Sequence, residues 1–157
     1  MNDVYKTFRV GVATGGFDPV HSGHIAYLTE ASKKCDILYV GVNSEDWLVR
    51  KKGKSFMSEA ERMTIVSNLK PVTKAFLMKD DDDTAIDFIE TTLTKFRAST
   101  KIIFMNGGDR TNTTTPEYTH FHNHPRIEFL WGIGGEDKKN SSSTILKKWK
   151  KHLTTPS

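Results

Sequence analysis

Two histidines three residues apart are the first side chains along the chain whose types and spacing could do chemistry. His21 and His24 follow the glycine pair Gly15 and Gly16, and Gly23 lies between them. Glycine permits close approach of the backbone, and a helix beginning here would present free N–H groups and the positive end of its dipole. Imidazoles and main-chain N–H groups together predict an anion site suited to phosphate. A lone His-x-x-His pair would instead indicate two helix-start histidines with ordinary hydrogen bonds.

Apolar runs that alternate with amphipathic runs must position these histidines. Short apolar segments predict five strands: residues 8–14, 36–42, 74–78, 101–105 and 127–131. Helical periodicity predicts helices from Gly23 to about Lys34, after Ser58, through 86–93 and from near Ser142. Alternation of this kind favours a Rossmann-like, doubly wound parallel five-stranded α/β sheet in a single domain, residues 1–157 with a core of about 8–150. Ligands of such folds bind at the carboxyl ends of the strands.

Local signals refine these elements. Ser58 and Glu61 have the spacing of a capping box, so we expect the helix after β-strand two to begin there. Residues 50–54 are expected to form a basic loop, and Asp83 or Thr84 to cap the following helix.

Composition excludes several classes of protein. The 157 residues include one cysteine, so no disulfide can form within the chain, and a reducing compartment is expected. No apolar run approaches the roughly 20 residues of a transmembrane helix, and the N-terminus lacks the apolar stretch of a signal peptide. We therefore expect a cytoplasmic protein without a membrane partner. The net charge of +4 is too small to favour nucleic-acid binding by itself.

The segment Gly16-Phe17-Asp18-Pro19-Val20-His21-Ser22-Gly23-His24 resembles the His-x-Gly-His signature of the cytidylyltransferase-like nucleotidyltransferases. Residues 141–147 resemble the family's second signature, which lies near the C-terminus. Over about residues 8–150 the chain is similar to the adenylyltransferase domain of ADP-heptose synthase and to glycerol-3-phosphate cytidylyltransferase. It departs from these enzymes at Ser141, where isoleucine is usual, at Lys147, where arginine is usual, and at Asn106, where the heptose enzymes commonly carry lysine.

The resemblance implies a reaction and a set of site residues. A phosphate oxygen of an acceptor would attack the α-phosphorus of ATP or CTP, and pyrophosphate would leave. The catalytic residues implied are His21, His24, Lys52, Ser142 and Ser143. The nucleotide-binding residues implied are Thr14, Gly15, Gly16, Phe17, His21, His24, Gly107, Gly108, Asp109, Ser142, Ser143 and Thr144. The acceptor-binding residues implied are Arg50, Lys52 and Arg62, with solvated basic loops and helix salt bridges to Glu59 or Asp46 as the alternatives.

The same resemblance implies Mg²⁺ carried on the triphosphate, no dedicated protein metal site, and a homodimer. The acceptor is expected to be a sugar or polyol phosphate, of the heptose 1-phosphate or glycerol 3-phosphate kind. The alternative function is a non-catalytic nucleotide- or RNA-binding module on the same fold, which the lysine-rich final helix with Trp149 would suit. An inactive regulatory homologue is a third possibility, against which both filled signatures argue.

Two clusters could suggest metal sites. Three histidines occur at every second position and would share one face of an extended segment: His120, His122 and His124. We expect this segment to be a surface loop. Residues 80–83 are four consecutive aspartates, for which a solvated run before a helix is expected.

Overall fold

The computed structural model describes residues 7–107, 115–134 and 141–154. Five strands form one sheet in the order β3-β2-β1-β4-β5, and every neighbouring pair is parallel. This confirms the predicted Rossmann-like fold. The elements are β1 (Arg9–Gly15), α1 (Ser22–Ser32), β2 (Ile37–Val42), α2 (Glu45–Lys52), α3 (Glu59–Ser67), β3 (Lys74–Leu77), α4 (Ile86–Thr94), β4 (Lys101–Gly107), α5 (Pro116–Phe121), β5 (Ile127–Ile133) and α6 (Ser142–Thr154).

Each face of the sheet has its own apolar core, because successive strand residues point to opposite faces. On one face, Leu28 and Ala31 of α1 and Val66 of α3 pack in a cluster with Ile103 and Met105 of β4. On the other face, α4 and α5 contribute to a cluster built on the alternate strand residues, among them Val10, Val12 and Phe104. Helices on both faces explain why the strands are continuously apolar.

The order in which strands are added to the sheet reverses after β3, so the topological switch point lies between the neighbouring strands β1 and β4. Strands β2 and β3 lie on one side of β1, and β4 and β5 lie on the other side. In a parallel sheet this switch point leaves a crevice outside the carboxyl ends of the strands. The loops after β1, β2 and β4 therefore converge around one space.

Several local predictions are confirmed. Ser58 is the N-cap of α3 and accepts from Glu61 N, and α6 begins at Ser142 as predicted. Helix α1 occupies Ser22–Ser32, slightly shorter at its C-terminal end than expected. Strand β5 runs two residues past its predicted end, to Ile133.

Three other local predictions need correction. Residues 50–52 form the last turn of α2, which Gly53 ends in a left-handed conformation with φ of 82°, so the basic segment is not a loop throughout. The N-cap position of α4 is occupied by Ala85 rather than Asp83 or Thr84, although the Thr84 hydroxyl accepts from Ile86 N at 3.2 Å, at the first residue of the helix. The expected loop around His120 begins inside α5, where Pro116 starts a short helix capped by Thr115.

No helix in the described part of the chain has both the length and the apolar content to cross a bilayer.

Candidate active site

The two histidines of the first signature form the start of α1. His21 is the N-cap, and its Nδ1 accepts a hydrogen bond from Gly23 N at 3.0 Å. His24 Nδ1 accepts from His21 N at 3.2 Å, which completes a capping box made of two imidazoles. The ring centroids lie 3.9 Å apart. Two side chains thus satisfy main-chain donors that a helix start otherwise leaves unpaired.

These two hydrogen bonds determine where the ring protons lie. An Nδ1 that accepts from a main-chain N–H carries a lone pair, so a neutral imidazole in this position must hold its proton on Nε2. Both His21 and His24 are therefore Nε2–H donors when neutral. The same helix start adds its main-chain N–H groups and dipole, which favour an anion.

Burial keeps both imidazoles neutral. Desolvation lowers the pKa of His21, and it lowers the pKa of His24 to about 4, helped by the nearby charges of His21 and Lys52. At neutral pH His24 is consequently an uncharged hydrogen-bond donor rather than a cation. An incoming phosphate would oppose this shift, because an anion stabilises the protonated ring.

Phe17 packs against His24 from within the core. Its side chain is 1% exposed and belongs to the core cluster under α1. Its ring centroid is 4.9 Å from that of His24, and its φ of 52° is in the left-handed region that non-glycine residues rarely adopt. A Cβ on Gly15 would come within 3.1 Å of the Phe17 ring. Phe17 is predicted to bind nucleotide, and in the structure its buried ring packs against that of His24.

A buried arginine joins the ends of β1 and β2. Arg62 on α3 is fully buried, and its Nη1 donates to Gly16 O at 2.9 Å and to Asn43 O at 2.6 Å. Its Nε donates to Met57 O at 3.1 Å. Burial lowers the pKa of Arg62, and the charge of Asp18 is the strongest of the carboxylate charges that oppose this shift. In the described structure Arg62 thus donates to main-chain carbonyls, and it forms a salt bridge with neither Glu59 nor Asp46, the partners considered from the sequence.

Asp18 provides the matching negative charge. It is 1% exposed, and its two carboxylate oxygens accept from Phe56 N at 2.7 Å and Met57 N at 2.6 Å. The loop after β1 is therefore tied to the segment before α3 through both a carboxylate and a guanidinium. Hydrogen bonds to charged groups are the stronger class, and removing one partner leaves the other buried and unpaired.

Asp80 ties the loop after β3 to the loop after β2. It is 1% exposed, so the expectation of a solvated run fails at this residue. Its Oδ2 accepts from Asn43 Nδ2 at 3.0 Å and Ser44 N at 2.9 Å, and its Oδ1 accepts from Ser44 Oγ at 2.6 Å. Arg50 donates to Asp80 O at 2.8 Å and pairs with Asp83 at 2.9 Å. Arg50, expected at the acceptor, is thus engaged by the acidic segment.

The start of α6 reaches the loop that follows β1. Ser142 Oγ donates to Pro19 O at 2.9 Å. Ser141 Oγ accepts from Thr144 N at 3.0 Å, so the residue that departs from the family's usual isoleucine caps this helix. Ser143 and Thr144 occupy its first turn. The two predicted signatures therefore meet, although 123 residues separate the two bonded groups along the chain.

Two neighbouring lysines at the end of α2 have different surroundings. Lys52 lies close enough to His24 for its charge to lower the pKa of that imidazole. Lys51 lies 5.7 Å from the centroid of the Trp47 ring and lines a cavity. Sequence reasoning named Lys52 and missed Lys51 and Trp47, since a helix rather than a loop decides which side chain faces the cavity.

That cavity, of about 620 Å³, opens at the carboxyl ends of the strands. Thr14, Gly15, Gly16 and Gly107, all predicted to bind nucleotide, line it. A Cβ on Gly107 would lie 2.9 Å from the Tyr27 ring, so the close approach of α1 to β4 requires glycine here. The other residues that line the cavity are Tyr27, Asn43, Trp47, Lys51, Met78, Asp83, Thr84, Ala85, Asn106, Thr115, Pro116 and Glu117.

Two of the predicted nucleotide-binding residues, Gly108 and Asp109, lie outside the described residues. Within the part of the chain that the structure describes, no group of three or more His, Cys, Asp or Glu side chains could hold a metal ion. His120 instead pairs with Glu90 at 3.3 Å, and His122 stacks on Tyr118.

A family model described as cytidylyltransferase-like matches residues 12–148, which is most of the chain. The chain belongs to the cytidylyltransferase-like family. A solved structure of a lipopolysaccharide core biosynthesis protein from Thermoplasma volcanium shares 28% identity over 84% of this chain and all of that one, with a TM-score of 0.62. A candidate nicotinate-nucleotide adenylyltransferase from Vibrio parahaemolyticus has a TM-score of 0.67 at 13% identity, covering 93% of this chain and 89% of that one, and so shares the fold.

Curated relatives of this cytidylyltransferase-like chain match it over about half its length. FAD synthase of Archaeoglobus profundus is 49% identical over 71 residues, 45% of this chain and 45% of that protein. Bifunctional protein HldE of Paramagnetospirillum magneticum is 38% identical over 78 residues, 48% of this chain and 16% of that protein. The chain therefore spans less than half the length of these two relatives.

We predict that Arg62→Lys lowers the free energy of unfolding by about 2–3 kcal/mol, because one ammonium cannot serve three carbonyls in the fixed geometry of a guanidinium. Urea unfolding followed by circular dichroism measures the change. Arg97→Lys, the same replacement at an exposed position of the segment after α4, is the control and should stay within about 0.5 kcal/mol of the parent. Equal effects of the two substitutions would show that the Arg62 hydrogen bonds do not hold the loops.

Proposed function

We propose that the chain is a nucleotidyltransferase that transfers a nucleoside monophosphate from ATP to a phosphorylated acceptor and releases pyrophosphate. The observation that carries this proposal is the pair of Nε2–H donors at the start of α1, with the first turn of α6 joined to the same loop. A triphosphate needs hydrogen-bond donors on more than one side, and two helix N-termini that meet at one loop can supply them.

The names of the relatives favour ATP over CTP as the nucleotide. FAD synthase forms a product that contains an adenylyl group, and the Vibrio structure is described as an adenylyltransferase. The family's name alone would favour neither nucleotide. We therefore propose adenylyl transfer, with CTP as the competing nucleotide in any assay.

The proposed reaction is a direct in-line displacement. A phosphate oxygen of the acceptor attacks the α-phosphorus of ATP and forms a new P–O bond, while the bond from that phosphorus to the oxygen bridging to the β-phosphate breaks. The electron pair leaves with pyrophosphate, and no bond to the protein forms. Catalysis then consists of positioning and of stabilising the charge on the phosphoryl oxygens.

In this proposal His21 and His24 donate from Nε2 to the α- and β-phosphates. Their neutrality suits this role, since a fixed donor stabilises developing charge without having to gain or lose a proton. Ser142, Ser143 and Thr144 bind the β- and γ-phosphates with hydroxyl and main-chain N–H groups, and Thr14 binds phosphate from the end of β1. Gly107, Gly108 and Asp109 are proposed to contact the base and ribose.

Of the cationic residues, one is proposed to contact the substrates and two to hold the surrounding loops in place. Lys52, close to His24, is proposed to bridge the acceptor phosphate and the α-phosphate, where its charge offsets the repulsion of two anions. Arg62 is proposed as a positioning residue, because its Nε and Nη1 donate to the main-chain carbonyls of Met57, Gly16 and Asn43. Arg50 holds the segment from Asp80 to Asp83 beside the cavity.

Mg²⁺ is proposed to arrive on the triphosphate. Asp18 in the signature loop and Asp80, which is bonded to the loop after β2, already accept main-chain and side-chain hydrogen bonds, so in this proposal they do not form a protein cage for a cation. Mg²⁺ commonly keeps several waters and binds substrate phosphates. Its contribution would be to neutralise phosphate charge.

The acceptor is proposed to be a phosphorylated hydroxyl compound. Sugar and polyol phosphates follow from the sequence resemblance, and the relatives named FAD synthase add FMN, whose adenylylation gives FAD. An RNA-binding role is the competing function, favoured by the exposed Trp149 and Leu153 on the lysine-rich α6. Pyrophosphate release from ATP without RNA, in the presence of a small acceptor, distinguishes the two.

We predict that His21→Ala and His24→Ala each reduce kcat by at least about a hundredfold, because one well-placed donor to a transferring group contributes roughly 10²–10³ in rate. The measurement is pyrophosphate release at saturating ATP, Mg²⁺ and acceptor. His120→Ala, which removes an exposed imidazole on α5, is the control and should retain parental turnover. Near-parental kcat in either signature variant would remove that histidine from the proposed mechanism.

We predict that Lys52→Ala raises the KM of the acceptor and lowers kcat more than it weakens ATP binding. Calorimetry with ATP and Mg²⁺ alone, combined with steady-state kinetics at varied acceptor, separates the two effects. Lys54→Ala deletes an exposed lysine of the same basic segment and should change neither quantity. Loss of ATP affinity with a normal acceptor KM would instead place Lys52 in the triphosphate site.

A further inference from the structure

One wall of the cavity is formed by elements that hold none of the proposed phosphate ligands. Thr84 and Ala85 precede α4, and Thr115, Pro116 and Glu117 lie at the start of α5; we call these five residues the α4/α5 wall. Ala85 N donates to Glu117 Oε2 at 3.3 Å, which fixes the two helix starts to each other. Helix α4 packs on the sheet face opposite to α1, so the wall and the imidazole pair approach the strand ends from different sides.

The cavity also contains a buried polar group that the described structure does not pair. Asn106, at the end of β4, is 7% exposed and lines the cavity. Its Nδ2 has no hydrogen-bond acceptor among residues 7–107, 115–134 and 141–154. A buried donor without an acceptor is destabilising, so the position of Asn106 Nδ2 beside a cavity indicates a ligand that supplies the acceptor.

Glu117 gives the same cavity a carboxylate at low exposure. It is 9% exposed, and one of its oxygens accepts from Ala85 N. Asp83 adds a second carboxylate to the lining, already paired with Arg50 at 2.9 Å. Lys51 is the cation that the described lining contributes. Two carboxylates would repel an additional phosphate, and no interaction here would offset the free energy lost when that phosphate leaves water.

A hydroxyl group suits this combination of a carboxylate and a carboxamide. It can donate its hydrogen to a carboxylate oxygen and at the same time accept from an N–H group. An alkyl chain would leave the Asn106 Nδ2 donor without an acceptor and would place no hydrogen-bond donor beside the Glu117 carboxylate. Sites built around buried polar groups discriminate strongly against such analogues.

We propose that Asn106 and Glu117 are specificity-determining residues that bind hydroxyl groups on the carbon skeleton of the acceptor. The inference rests on the proposed nucleotidyl transfer and deepens it, because it assigns the α4/α5 wall to the part of the acceptor beyond its phosphate. The selected class is polyhydroxylated monophosphates, and a bare alkyl phosphate is rejected.

The test compares hydroxylated acceptors with one that lacks hydroxyl groups, and glycerol 3-phosphate and propyl phosphate form the pair that differs only in hydroxyl groups. Pyrophosphate release from ATP is measured with glycerol 3-phosphate, ribose 5-phosphate, a heptose 1-phosphate and FMN, and with propyl phosphate as the acceptor that lacks hydroxyls. The parent protein should have kcat/KM for its best hydroxylated acceptor at least about a hundredfold above that for propyl phosphate.

Two variants of similar side-chain size then test whether Asn106 and Glu117 cause the preference for hydroxylated acceptors. Asn106→Leu and Glu117→Gln should each lower kcat/KM for the hydroxylated acceptor about tenfold and leave propyl phosphate and the affinity for ATP unchanged. Glu90→Gln makes the same chemical change on the exposed part of α4 and should alter none of these values.

The outcomes separate this inference from the function on which it rests. Pyrophosphate release with equal kcat/KM for propyl phosphate and the hydroxylated acceptors would overturn the inference and leave nucleotidyl transfer standing. Variants that weaken every acceptor equally, or that weaken ATP binding, would likewise overturn it. No pyrophosphate with any acceptor would contradict the proposed function and the inference together.

Discussion

The buried guanidinium of Arg62 is the interaction on which the geometry of the site depends. It donates to main-chain carbonyls at the end of β1, after β2 and before α3, so three separate segments share one rigid fork. Asp18 supplies the opposite charge and itself receives two main-chain N–H bonds. A charge in this position is costly unless it is paired and hydrogen-bonded, so the loops and the ion stabilise each other.

The segments that Arg62 holds lead directly into the helices that carry the proposed ligand-binding side chains. The segment held at Gly16 leads into the start of α1, where His21 and His24 accept main-chain hydrogen bonds at Nδ1 and keep Nε2–H for a ligand. The segment held at Asn43 leads into α2, which carries Lys51 and Lys52. Ser142 joins α6 to Pro19 of the first loop. Donors from three helices are thereby placed around one end of the sheet.

Much of this could be predicted from the sequence, for physical reasons. Alternating periodicities determine a parallel sheet, and a parallel sheet places all loops after strands at one edge, so the His21 loop and the Ser142 turn belong to the same edge. Capping chemistry is local, so the starts of α3 and α6 were also predictable. The family resemblance connected the two signatures to phosphate.

The remainder depends on contacts between segments distant in sequence. No local pattern distinguishes Arg62, which holds carbonyls, from an arginine that meets a substrate, or Asp80, which is buried, from its three aspartate neighbours. Whether Lys51 or Lys52 faces the cavity depends on α2 continuing through residues 50–52. Glu117 and its bond to Ala85 follow from α5, a six-residue helix whose start lies too close to other turn signals to be recognised.

The most direct test of this account is nitrogen-15 NMR of the imidazole side chains during titration with ATP and Mg²⁺. At pH 7 in the absence of ligand, His21 and His24 should both be neutral Nε2–H tautomers, with a pKa of about 4 for His24 because burial and the charge of Lys52 oppose protonation. Saturation with ATP should shift both Nε2 resonances and raise the pKa of His24. Nδ1–H tautomers, or ATP binding that leaves both Nε2 resonances unchanged, would contradict the assignment of this pair as the phosphate site.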